Sequence, residues 1–194
     1  MRVIVLLFAI IVLSSCTDDV KSVKSNWFDI PGLGIQLANN MSSRTPSVNK
    51  TFILNDVVES VNIDISDSGF WKQELSKLAE IDLNSPQVRG YIKLNSKIED
   101  DNSNLLIDQY TLAEGSNSPI EKISLYYLDD PAELRQISIS LNKSNLVTQS
   151  STELNIWLNR YQKSLLIDSL KLKHHEKIIM QSPRDYENRI KVLW

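Results

Sequence analysis

The chain opens with an unbroken apolar run, Val3 to Leu13, entered from Arg2 and ended by Ser14-Ser15-Cys16. These eleven residues rise only about 16 Å as a helix, roughly half the hydrocarbon thickness that a spanning helix must cross. The run therefore reads as the core of a secretory signal at residues 1 to 15 and not as a membrane span. Export means folding outside the cytosol, and Cys16 is the only cysteine of the 194 residues, so disulfides cannot stabilise the fold. Stability has to come from a packed core. Removing residues 1 to 15 leaves 179 residues and takes the formal charge from −3 to −4 as Arg2 is lost. That length predicts one domain with room for a sizeable core. With 21 Lys and Arg against 24 Asp and Glu there is no basic excess to neutralise phosphates, so nucleic acid is not an expected partner.

Leu13-Ser14-Ser15-Cys16 resembles the lipobox of bacterial lipoproteins, in which small residues precede a cysteine that is acylated and becomes the first residue after cleavage. The resemblance implies that Cys16 is the lipidation site, carrying palmitate or a similar acyl chain, and that the membrane is a partner through this anchor. One acyl chain binds a bilayer marginally, whereas two or more hold durably. Thr17, not Asp, follows the cysteine, so the residue that retains many lipoproteins in the inner membrane is absent from that position. The expected location is the bacterial outer membrane, facing the periplasm or exposed at the surface. Cys16-Thr17-Asp18-Asp19 is also similar to the acidic export tag of Bacteroidota surface lipoproteins, although a solvated tether accounts for the same two acids. Residues 16 to 26 read as the lipidated cysteine and a polar tether, and 27 to 194 as a single domain.

Within that domain, Asp29 is suited to cap a helix, Pro31 fits a first turn, and Ile30, Leu33, Leu37 and Met41 recur at helical spacing. Alternation in Phe52-Leu54 and Val61-Ile63-Ile65 around Asn55-Asp56 predicts a hairpin. Asp67 or Ser68 can cap a second helix with Trp71, Leu75 and Leu78 on one face and Phe70 and Ile81 beside it, stopped by Asn84-Ser85-Pro86. Beyond Pro86 strand-like runs follow one another: 91–98, 105–112, 120–128, 137–141, 146–158, 165–173 and 178–181, most separated by turn residues. The expected fold class is α+β, a meandering and curved antiparallel β-sheet with two helices from the N-terminal half covering one face. The segment 182–194 carries no reading of its own, and neither does the docking of Lys191 to Trp194.

Trp27-Phe28-Asp29-Ile30-Pro31-Gly32-Leu33, Trp71-Lys72-Gln73-Glu74-Leu75 and Asp82-Leu83-Asn84-Ser85-Pro86 together resemble a group of uncharacterised Bacteroidota lipoproteins, in which such an opening precedes a hairpin, a helix and a run of strands. The resemblance covers most of the chain after the leader and implies location and fold. It brings no activity with it.

The candidate chemistry is sparse. His174-His175 invites a metal, but neighbouring strand residues point to opposite faces and neighbouring helix residues diverge by about 100°, so no metal and no cofactor is expected and a polar hairpin end explains the pair. Asp64 to Gly69 echoes a calcium loop with Gly at the sixth place, yet the twelfth is Leu75, and a helix cap explains the acids better. Ser47-x-x-Lys50 and Ser140-x-x-Lys143 match a nucleophile pattern without its companion motifs. Glu99-Asp100-Asp101 reads as a solvated turn, and Asp168-Ser169-Leu170 resembles the O-glycosylation triplet of Bacteroidota. Trp27, Trp71, Trp157 and Trp194 can each stack on the apolar face of a sugar or lipid, with Trp71 most simply a core residue. The sequence thus predicts no catalytic residues and no enzyme. It predicts a lipid-anchored interaction or binding module with a protein or apolar small molecule as partner. The alternative is a carrier holding a lipid or acyl chain in a cavity under the sheet.

Overall fold

The computed structural model describes residues 26–44, 46–65, 67 and 69–194. Cys16, the leader and the tether lie outside the described residues. The fold is α+β and dominated by one open, antiparallel sheet of nine strands. In chain order the elements are α1 (Ile30–Ser42), β1 (Ser47–Leu54), β2 (Val57–Asp64), α2 (Gly69–Glu74), α3 (Ser76–Ala79), β3 (Ile92–Glu99), β4 (Leu106–Leu112), β5 (Ile120–Tyr127), β6 (Leu134–Ser144), β7 (Thr148–Tyr161), β8 (Ser164–Ile178) and β9 (Arg184–Leu193). A short 3₁₀ turn, Pro131–Glu133, joins β5 to β6.

β3 to β9 form a simple meander, and the N-terminal hairpin then adds to its last strand, giving the order β2-β1-β9-β8-β7-β6-β5-β4-β3. The β1–β9 half of this sheet therefore needs the two ends of the domain. Val48 pairs with Val192 and Lys50 with Ile190, and Val48, Ile190 and Val192 are all buried. The segment 182–194 thus supplies a strand that alternation alone does not announce, because only Ile190 and Val192 among Arg184–Leu193 face the core. Ile178 to Gln181 is not a separate strand. Ile178 ends β8, and the residues after it turn into β9.

The core is drawn from alternate residues of the strands. One row across the sheet runs Lys50, Ile190, Leu170, Ile156, Ile137 and Leu125, and the apolar members of that row are at most 2% exposed. Asp29 accepts a hydrogen bond from Gly32 N at 2.8 Å, capping α1, whose Ile30, Leu33, Leu37 and Met41 are buried. α1 lies along β8, where Asn40 Nδ2 donates to Leu165 O at 2.9 Å and Ile167 N points to Met41 Sδ at 3.2 Å. Gly34 lets α3 come close. A Cβ at that position would stand 3.0 Å from Leu78 Cβ.

The expected second helix is broken at Leu75 into α2 and α3. The reason lies in its apolar spacing. Leu75, Leu78 and Ile81 repeat every three residues and are all buried, and the backbone follows them with tight bonds from Leu78 N to Leu75 O and from Ile81 N to Leu78 O. Asp67 does accept from Gly69 N at 2.8 Å; Ser68 and Ser66 lie outside the described residues. The apolar layer continues past the helices through Leu83 and Val88, and Asn84 clasps the Trp27 backbone by accepting from its N–H and donating to its carbonyl. Between sheet and helices the space is filled, since Ile30, Leu37, Met41, Trp71, Leu78 and Leu83 are 0% exposed.

One irregularity sets the faces of β8. Trp157 pairs with Ser169 and Leu158 with Ile167, so Asp168 is an extra residue, a bulge. It keeps Leu165 and Ile167 on the same face as Leu170 and Leu172. Deleting Asp168 regularises the ladder without changing any face, whereas deleting Lys171 turns Leu172 and everything after it over. Thermal unfolding is expected to find a folded, cooperative protein for the first deletion and none for the second; comparable loss in both would show that the bulge does not set the register.

Candidate functional site

The fold leaves open the sheet face turned away from the helices. Its residues are the alternate set, and most of them are polar. One row reads Thr51, Arg189, Lys171, Asn155, Ser138, Ser124, Gln109 and Asn95 in consecutive neighbouring strands, with Ser124 buried. The side chains of Asn155, Ser138 and Gln109 make no hydrogen bond or ion pair with other described residues. The adjacent row places Trp157 and Tyr126 on either side of Gln136. Two strand spacings put the backbones of the two aromatics about 9.5 Å apart. Neither ring packs into the core cluster, and both are partly exposed. Burial pushes the Tyr126 phenol above its ordinary value, with help from the Asp100 carboxylate and against a hydrogen bond from Ser124.

Toward the end that carries the β1–β2 turn, the open face deepens into a groove of 540 Å³, whose open-face lining includes Ile53, Ser151, Glu153, Lys173, His175 and Glu187. Ser151, His175 and Asp185 are register partners on three successive strands. Asp185 Oδ1 sits 2.6 Å from His175 Nδ1 and so orients the ring. Ser151 makes no hydrogen bond to the ring, and its own backbone is engaged between Asn142 and His175 in the ladders to β6 and β8. A nucleophile there would lack the free N–H donors that stabilise an oxyanion. Beside this row Glu187 is ringed by cations. Burial pushes its carboxyl up, but the Arg189 hydrogen bond and the charges of Lys171 and Arg189 outweigh burial and hold it below its ordinary value. The arrangement can bind polar groups by paired charge, amide and hydroxyl, with two aromatic faces within reach.

The structure separates the motifs that the sequence places together. His174 and His175 lie within β8, not at a hairpin end, and point to opposite faces. Thr152 Oγ1 meets His174 Nδ1 at 2.8 Å on the helix side. Ser47 and Lys50, and likewise Ser140 and Lys143, are three apart on strands and so also face opposite ways; Ser47 Oγ donates to Asp64 Oδ1 at 2.6 Å, and Lys50 pairs with Glu74 at 2.5 Å. Asp100 accepts from Ser103 Oγ at 2.6 Å within its turn. Ser169 donates to Asp168 at 3.2 Å, in the middle of β8. Of the tryptophans, Trp71 is core, Trp27 packs edge-on against Tyr110 with centroids 6.2 Å apart, Trp194 is 63% exposed, and Trp157 alone stands on the open face. Apart from the histidine pair, the groove residues and Tyr126 escape sequence reasoning, because strand register unites them and no motif does. No protein-family model, curated protein or solved structure matches the chain.

His174 gives this region a pH dependence. Burial lowers its pKa from 6.5, Glu176 opposes this, and Lys77 and His175 add to it. The fold therefore prefers the neutral ring, and the unfolded chain takes up its proton first as pH falls through 6.5. Stability is full above that value and is lost toward the lower folded value. Urea midpoints measured on both sides of it are expected to fall for the wild type and to fall less for His174→Gln. Equal slopes would exclude His174 as the cause.

Proposed function

We propose that this chain is a lipid-anchored protein of the bacterial outer membrane, a non-enzymatic binding module that presents the open face of its sheet to a partner. The observation that carries this reading is the asymmetry of the sheet. One face is packed under helices, and the other, equally wide, keeps amides, hydroxyls, paired charges and two partly exposed aromatics in solvent. The anchor reading rests on Leu13 to Cys16, and the polar residues 17 to 26 would hold the domain off the bilayer. Trp157 and Tyr126, two strands apart on that face, would meet a common ligand. The interior favours this reading over lipid carriage, because the layer where an acyl chain would lie is occupied by Trp71, Leu37 and Met41.

A photoreactive residue placed at Asn155, on the open face, and another at Lys72, exposed on α2, separate the faces in living cells. Illumination is expected to give a discrete adduct from position 155 that weakens in Trp157→Ala, and none from position 72. Adducts from position 72 alone, or none from either, would contradict a working open face.

A further inference from the structure

β6, β7 and β8 run on past β9 at one end of the sheet. β9 makes its last pair with β8 at Arg184 opposite Glu176, while β7 and β8 stay paired to Thr148 and Ile178. Ile179 N still donates to Val147 O at 3.0 Å. A paired arm therefore projects about 10–13 Å beyond the last β9 pair, three to four residues at the strand rise. Its two turns carry Leu146, Val147, Ile179 and Met180, which are 93%, 57%, 56% and 101% exposed.

The turns do not need these side chains. Asn145 Oδ1 already closes the first by accepting from Val147 N and Thr148 N, both at 2.8 Å. Met180 holds φ 64, a conformation in which Gly or Asn is the ordinary residue. A cluster of fully solvated Leu and Met at the end of an arm marks a surface that is buried elsewhere.

The charge around the arm says against what. The two sheet rows beneath the tip hold Lys143, Lys177 and Arg184 with a single carboxylate, Glu176, and Lys77, Glu80 and Asp82 of the helical layer line a groove with Lys143. None of the three cations is in an ion pair with another described residue, although Lys171, Lys173 and Arg189 further down the sheet share Glu187, and Lys191 takes Asp168. On a chain of net charge −3 this is a local positive collar.

We propose that the arm docks on an anionic lipid bilayer, with Leu146, Val147, Ile179 and Met180 entering the boundary between headgroups and acyl chains and the three cations meeting lipid phosphates. The inference rests on the lipid anchor at Cys16, and the chain length permits both contacts at once. Trp27 rests on Tyr110, which shares a sheet row with Leu154, eight residues from Leu146 along the chain. That places the tip about 30 Å from Trp27, while the eleven residues back to Cys16 reach at most about 36–40 Å. Docking would fix the strands upright on the membrane and leave the open face to one side.

The test uses a polarity-sensitive probe on Met180→Cys in the full chain, bound to vesicles of phosphatidylcholine and phosphatidylglycerol, with the same probe on Gln73→Cys as control. Nitroxides on the lipid chains are expected to quench the probe at position 180 several-fold more than at position 73. Neutralising Lys143, Lys177 and Arg184 to Gln is expected to shift the tip off the bilayer about five-fold for each cation. A probe at 180 that stays in water, or one shielded from water yet not quenched by the lipids, overturns the proposal, the latter pointing to a protein on the tip. One probe per chain marks Cys16 as acylated and two mark it as free. In that case the anchor reading fails by itself, and the same quenching is read from the Cys16→Ala, Met180→Cys protein.

Discussion

The phase of β8 is what the rest of the architecture depends on. This strand lies near the middle of the sheet, pairs along nearly its whole length with β7, and is the floor on which α1 lies. A regular ladder running from the Gln162-Lys163 turn would put Leu165 and Ile167 on one face and Leu170 and Leu172 on the other, so that no single layer of helices could bury all four. The bulge at Asp168 corrects this with one residue. Lys191 reaches Asp168 across the strand pair at 2.6 Å and Ser169 donates to it at 3.2 Å, so the extra residue is tied down by polar contacts on the solvent side. The same correction decides which histidine faces which way. Because of it, His175 and not His174 meets Ser151 on the open face.

Much of this was legible in the residues. Asp29, Pro31 and the stripe through Met41 locate α1, Asn55-Asp56 locates the first hairpin, with both residues at positive φ, and the turn signals after Pro86 mark most of the strands. Leu165-Leu166-Ile167 is apolar throughout, so the change of phase to Leu170 and Leu172 shows only in the ladder. What is not legible is what depends on partners far along the chain. β9 offers only Ile190 and Val192 to the core, too little for a pattern, and becomes a strand because β1 and β8 flank it. The three-residue spacing of Leu75, Leu78 and Ile81 looks helical until packing selects the tighter turn. The groove on the open face has no sequence signature, since Ser151, His175 and Asp185 meet only through two registers.

Burial also sets what the surface can do. A domain without disulfides has to concentrate its apolar side chains in one layer, and here the helices and the loop through Leu83 and Val88 take up one face of the sheet. The other face is left to polar residues by the same alternation that fills the core. Against that background the apolar residues that remain in solvent stand out. Trp157 and Tyr126 sit amid amides on the open face, and Leu146 and Met180 stand at the end of an arm above cations that make no ion pair among the described residues. The two features lie on different parts of one sheet, so that the two proposals, an arm that orients the domain and an open face that meets a partner, place no competing demand on the same residues.

That division of labour makes the open face the central claim, and hydroxyl-radical footprinting in intact cells against the purified protein tests it most directly. Protection in cells is expected at Trp157 and Tyr126, with exposed positions on α1 and α2 oxidised equally in both settings. Protection confined to the helices, or oxidation of Trp157 and Tyr126 unchanged by the cellular setting, would contradict it.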